Sequence, residues 1–326
     1  MTISSNNVDV FVNTVGGTGT TLFNGFFGDG VDGNVTINST VTLTRDWYYN
    51  NLTIGATGIL KPRGFHIFVK GTLTIDVGGS INDNGNNAYP AGTTSPADNG
   101  GAALPNVGTG FGAASGAGGN GINSASTGGN GGGSVSNCST NVLGLSPRGG
   151  TGGACYDPEL GPPPVIVNPG GLGGNATSPT IPQRWPSIWS MMTARLYNGG
   201  TWNGGSGGGG GSGFSPAPTT ANTGGGGGGG GIVWIGAKTI VNAGSITANG
   251  GAGADGAVSG PTGLGCVAGG GAGGGGGLVG IVTTTATSLG TITANVGANG
   301  VTVGDTGLTI QPISGNNGTV SVLILS

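Results

Sequence analysis

Glycine in this chain comes in runs. Gly224–Gly231 is unbroken, eight of the ten residues in Gly204–Gly213 are glycine, and so are eight of the nine in Gly269–Gly277. A stretch without Cβ atoms has two outcomes. It is a flexible spacer, or it is packed as an extended helix of the polyproline-II type. Such a helix has three residues per turn, and its N–H and C=O groups all point outward. Packing has to overcome the entropy of glycine, roughly 0.5–1 kcal/mol per residue more than alanine loses. It succeeds only if neighbouring runs satisfy nearly all of one another's backbone groups. Charged residues are 6% of the chain, against about 25% in ordinary domains. So little charge argues against a solvated coil and favours packing.

The same composition removes other classes. The glycines are not spaced every third residue, so the chain is not collagen. There are no charged heptads for a coiled coil. A net charge of −3 with a pI near 4.7 leaves no basic footprint for nucleic acid. No run of 18 apolar residues predicts a membrane insertion. The opening MTISSNNVDVFVN has neither a basic nor an apolar signal-peptide region, so synthesis in the cytoplasm is expected. Cys138, Cys155 and Cys266, an odd number in such a chain, argue for thiols. A Cys138–Cys155 bridge stays open for oxidising surroundings.

Between the runs lie short β-type segments. Val35-Thr36-Ile37, Leu52-Thr53-Ile54, Ile67-Phe68-Val69-Lys70 and Leu73-Thr74-Ile75 alternate apolar with polar residues and are separated by Gly, Asn and Asp. One motif recurs. Gly79-Ser80-Ile81-Asn82-Asp83-Asn84-Gly85 matches Gly244-Ser245-Ile246-Thr247-Ala248-Asn249-Gly250, and Gly290-Thr291-Ile292-Thr293-Ala294-Asn295 is a third copy. Each copy follows an apolar strand (Ile67–Val69, Ile232–Ile235, Leu278–Val282) and precedes a glycine-rich excursion. Thr319–Leu325 reads as the apolar strand of one more turn. The order strand, turn, strand, corner, excursion predicts an all-β parallel solenoid, whose coils satisfy their backbone only by stacking. An antiparallel sandwich of the same strands is the alternative. The expected organisation is a strand-rich module over 1–85, a glycine-rich excursion over 86–230 and a second strand-rich module over 231–326. The one helix expected is short, near 186–197, within an aromatic segment 181–202. There Trp185, Trp189, Met192 and Leu196 recur at near-helical spacing.

Glycine clusters separated by aromatic-bearing loops resemble the glycine-rich adhesins at the tips of T-even phage long tail fibres. The run Gly28–Ile37, the run Leu43–Thr53 and Phe65-His66-Ile67-Phe68-Val69-Lys70-Gly71-Thr72-Leu73 resemble a module of glycine-rich phage structural proteins. The resemblance covers the N-terminal quarter by motif and the rest by composition. It implies polyglycine-II helices carrying loops that contact a host receptor. The chain departs from that pattern in one respect: its strand-forming segments interleave with glycine out to the C-terminus.

Catalytic chemistry finds few footholds. His66 is the only histidine, and it lies between Phe65 and Ile67 in a strand, where a structural role is expected. One His and three scattered Cys make no zinc set. Glu159, the only glutamate, and Asp157 sit in a turn-rich loop and read as solvated rather than as a glycosidase pair. Asp29, Asp32 and Asp46 form a second acidic group, read as turns with a weak calcium alternative. No catalytic residue, metal or cofactor is expected, and the chain does not read as an enzyme. The binding candidates are Trp185, Trp189, Tyr197, Trp202 and Phe214, aromatic residues on or beside glycine runs. The chain reads as a virion surface protein, first a tail-fibre or tip adhesin that binds a host receptor. A capsid decoration or head-fibre protein and a glycan-cleaving tailspike are the alternatives. Other virion proteins and further copies of the chain are the expected partners, with a trimer suggested by analogy.

Overall fold

The structure is a computed structural model. It describes residues 8–13, 27–89, 149–157, 165–168, 170–173, 204–214, 220–259, 266–304 and 309–325. Among these residues the secondary structure is entirely β. The expected helix at 186–197 lies outside them.

The first module forms β1 (Val8–Asn13), β2 (Asn34–Ile37), β3 (Thr40–Thr42), β4 (Trp47–Tyr49), β5 (Asn51–Ile54), β6 (Ile59–Lys61), β7 (His66–Ile75) and β8 (Ser80–Asn82). The excursion contributes β9 (Ala154–Asp157), β10 (Val165–Asn168), β11 (Gly213–Phe214) and β12 (Thr220–Asn222). The remainder forms β13 (Ile232–Asn242), β14 (Ser245–Thr247), β15 (Ala257–Ser259), β16 (Val267–Ala268), β17 (Leu278–Thr283), β18 (Thr285–Ser288), β19 (Thr291–Thr293), β20 (Val303–Gly304), β21 (Thr309–Ile310) and β22 (Thr319–Leu325).

Two large sheets carry the apolar core, and both are parallel throughout. One runs β1-β22-β17-β13-β7-β5-β2, with β18 beside β13 and β4 beside β7. The other runs β19-β14-β8-β6-β3. The antiparallel alternative therefore does not hold for these strands. The sequence repeat is stacked in register: Ser245 faces both Ser80 and Thr291, and Ile246 faces both Ile81 and Ile292. Parallel pairing of identical motifs brings like side chains onto like. Leu60, Ile81 and Ile246 form one fully buried column. Leu52, Leu73 and Ile240 form a second, and Ile67, Ile235, Ile281 and Val322 a third. The intervening threonines point away, which is the period-2 pattern read from the sequence. Truncating Ile246 to alanine should cost about 2–5 kcal/mol, measurable as a lowered midpoint in urea unfolding.

Between the parallel sheets and the remaining described strands lie the glycine runs, and their bonding has a period of three. Gly205, Gly208 and Gly211 donate N–H to the carbonyls of Gly230, Gly227 and Gly224 at 2.7–2.8 Å. Gly224, Gly227 and Gly230 in turn donate to Gly269, Ala272 and Gly275 at 2.9–3.0 Å. Gly271, Gly274 and Gly277 donate to Ala254, Gly251 and Ala248 at 2.7–3.0 Å. Three residues is the repeat of the polyproline-II helix, which makes no bonds within itself. The run 269–277 is the most enclosed. It bonds to 206–212, 224–230, 248–254, 297–300 and 150–153, each through a different set of its backbone groups. The close approach requires missing side chains. A Cβ built on Gly271 would fall against the Gly225 carbonyl, and one on Gly209 against that of Gly171, both well inside the 3.0 Å that real Cβ contacts respect.

Direction is ordered as well. Segments leaving the five-stranded sheet (83–88, 248–256, 294–302) run parallel to one another, and so do those entering β13 and β17 (224–231, 269–277). The two sets run antiparallel to each other. Asparagines of the repeat complete the margin: Asn84 Oδ1 accepts from Asn249 N–H at 2.7 Å, and Asn249 Oδ1 accepts from Asn295 N–H at 2.8 Å. Side-chain amides thus replace backbone partners where one layer meets the next.

Candidate functional site

At the end of the glycine bundle away from the parallel sheets, the chain returns to β structure of a different kind. Three small antiparallel sheets form there: β10-β9-β21, β11-β16-β20 and β12-β15. They touch one another, β11 and β16 against β9, β12 against β11 and β16, and β15 against β16 and β20. Ala221, Cys266 and Ala268 make a small buried core with Val258 packed on it. In sequence, β9 is followed by β10, β11 by β12, β15 by β16 and β20 by β21, so four pairs of successive strands are gathered at this one end. Phe214 is placed here, half-buried in β11 opposite Val267. Val303, more exposed, lies across β16 in β20, opposite Ala268.

Trp185, Trp189, Tyr197 and Trp202 lie outside the described residues. Their segment rejoins the bundle at Gly204, whose neighbours are Gly230 and Gly231 at the mouth of β13. Phe214 lies ten residues further on, at the far end of that glycine-rich run. The aromatic segment therefore rejoins the bundle near the parallel sheets, and Phe214 sits at the opposite end.

The charged and aromatic residues of the first module hold one another. His66 is buried, with Nδ1 3.1 Å from Asp46 Oδ1, while its own N–H donates to the same oxygen at 2.9 Å. Its ring stacks on Phe68 at 5.6 Å and meets Trp234 edge-on at 6.2 Å. This is the structural setting expected from its place in the strand. The acidic group is divided among separate tasks. Asp29 accepts from Val31 N–H, Asp46 holds His66, and Asp32 takes Arg45 in a two-pronged pair at 2.6 and 3.1 Å and also accepts from Tyr48 N–H. The Arg45 hydrogen bond holds the Asp32 carboxyl below its usual range, against the opposing pull of burial. Arg45 also lies over the Trp47 ring at 3.8 Å, a cation–π contact. Asp157 lies in β9, so the pairing 155–157 with 165–168 replaces the expected open turn there. Glu159 and Cys138 lie outside the described residues.

One buried acid escapes a reading of the sequence. Asp83 stands where the other two copies of the repeat have Ala248 and Ala294, all three buried. An acid in a slot that otherwise takes alanine is the available signal. Its Oδ2 accepts from Ile232 N–H at 3.1 Å, at the seam between the five-stranded sheet and the bundle. Burial pushes its pKa up to about 6 from an ordinary 3.8, partly opposed by that hydrogen bond. A carboxyl raised in the fold contributes its stability below about pH 4 and loses it as pH rises through about 6. Asp83→Asn keeps an acceptor for Ile232 and removes the charge. It should raise stability at pH 7 by about 3 kcal/mol and leave it unchanged at pH 4, as read by thermal melts at the two pH values.

No protein-family model matches the chain, and neither a curated protein nor a solved structure matches it.

Proposed function

We propose that this chain is a non-enzymatic virion surface protein of a phage, a tail-fibre or tip adhesin whose receptor-facing end is the cluster of small antiparallel sheets around Phe214. In this reading the two parallel sheets form a β-solenoid anchor and the glycine runs form a sandwich of polyglycine-II helices. The observation that carries it is the gathering of four pairs of successive short strands at one end of a bundle whose glycine backbones are bonded to one another in several directions. Recognition favours many loops held on a rigid support, and here the support is the backbone itself. The N-terminal resemblance to glycine-rich phage proteins points the same way.

The test is adsorption of the purified, labelled chain to a panel of bacterial cells. Saturable binding to a susceptible strain is expected, and Phe214→Ala should weaken it about tenfold, which corresponds to a contact of about 1.4 kcal/mol. Absence of binding, with infection blocked by a different tail component, would remove the adhesin reading.

A capsid decoration or head-fibre role is the second reading. It is favoured by how many charged groups in the first module are spent on internal bonds, as with Asp32, Arg45 and Asp46. Copy number per particle separates the two, since hundreds of copies on the head would select decoration.

A further inference from the structure

The strand order of the nine-stranded sheet breaks chain order at one place. From β22 through β17, β13, β7 and β5 to β2 the strands descend steadily in sequence. β1 does not follow β2. It lies at the opposite edge, on β22, in six parallel pairs from Val8↔Val320 to Asn13↔Leu325. β1 and β2 are thus neighbours in sequence and the two farthest strands in the sheet.

The separation is six strand spacings, about 29 Å at the usual interval. Residues 27–33 are tied to the β2 end, because Asp32 N–H donates to the Tyr48 carbonyl at 3.0 Å and Asn50 N–H donates to that of Gly33 at 2.7 Å. That leaves residues 14–26 to join the two edges, and they can reach about 43 Å when extended. β1 makes its main contacts with β22. Its described attachment is a parallel backbone ladder on the edge strand β22. The same edge is present on every copy of the chain.

We propose that β1 is an exchange arm: in the assembled protein the β1 of one copy docks on the β22 of a second copy, in the parallel register Val10↔Val322. The partner is another copy because the exchanged bonds are the ones the chain makes with itself, so the trade costs no backbone pairing. Reciprocal or cyclic exchange closes every edge of this kind and gives a symmetric assembly.

Two differently tagged copies, one carrying Asp9→Cys and the other Ser321→Cys, are co-expressed and oxidised. These positions are register partners, at a separation a disulfide can bridge. A covalent species carrying both tags at twice the 30.8 kDa chain mass is expected, and it should be absent when either variant is expressed alone. A double variant that closes its link within one chain, with none formed between chains, overturns the proposal. A second measurement guards against a variant that fails to form the bond. Deleting residues 1–13 should reduce the mass by light scattering to that of one chain, while amide protection across 224–231 is kept. An unchanged mass overturns the proposal too.

Discussion

Replacing Gly271 with valine is expected to unfold the glycine bundle. The new Cβ would meet the carbonyl and carbon of Gly225 and the nitrogen of Gly226, all of them backbone. A core that is overpacked against side chains relaxes by changing rotamers, at about 1–3 kcal/mol. Here nothing can turn aside. The Gly271 N–H is bonded to Ala254, and its carbonyl accepts from Gly300. Moving the strand breaks bonds in several directions at once. A loss of more than about 3 kcal/mol is the result, read as a fall in the melting midpoint or as loss of soluble protein. Ala298, in the same bundle but exposed, is the matched control, and Ala298→Val should stay within about 0.5 kcal/mol of the parent. Equal effects at the two positions would mean that the runs are not packed on one another.

The second large effect is in amide exchange. Each of Gly224, Gly227, Gly228, Gly230 and Gly231 donates to a carbonyl of another segment at 2.7–3.0 Å, and the run is buried throughout. Those amides should exchange with the parallel strands, roughly a thousandfold or more slower than in an unstructured peptide. Hydrogen–deuterium exchange across 224–231 and 269–277, followed by mass spectrometry, measures this directly. A spacer of the same composition would exchange within the first time point. The glycine-lattice account does not survive that result.

Much of the core was legible because its units are copied. Gly79–Gly85, Gly244–Gly250 and the run from Gly290 announced three equivalent corners, and the structure stacks Ile81, Ile246 and Ile292 on one another. The closing strand was legible for the same reason, since the Thr319–Leu325 pattern matches the strands it joins. The antiparallel end was not. Val267–Ala268 and Gly213–Phe214 are too short to carry a period, and their pairing is fixed by which glycine runs happen to lie side by side. Composition could suggest that the runs pack, but not which run meets which. That choice is set by the registers of β13 and β17, which deliver 224–231 and 269–277 to each other already aligned. Asp83 was hidden for another reason. A single polar residue in a repeat reads as variation until the slot it fills is known to be closed.

The glycine run 224–231 continues straight into β13, and 269–277 into β17, with no turn between. A pull along the bundle is therefore carried in shear. The lateral amide bonds of a whole run share the load together and cannot be peeled open singly. For an adhesin of the kind proposed, under tension between a particle and the surface it grips, main chain loaded lengthwise is a favourable mechanical arrangement, and within the described bundle it rests on lateral backbone bonds.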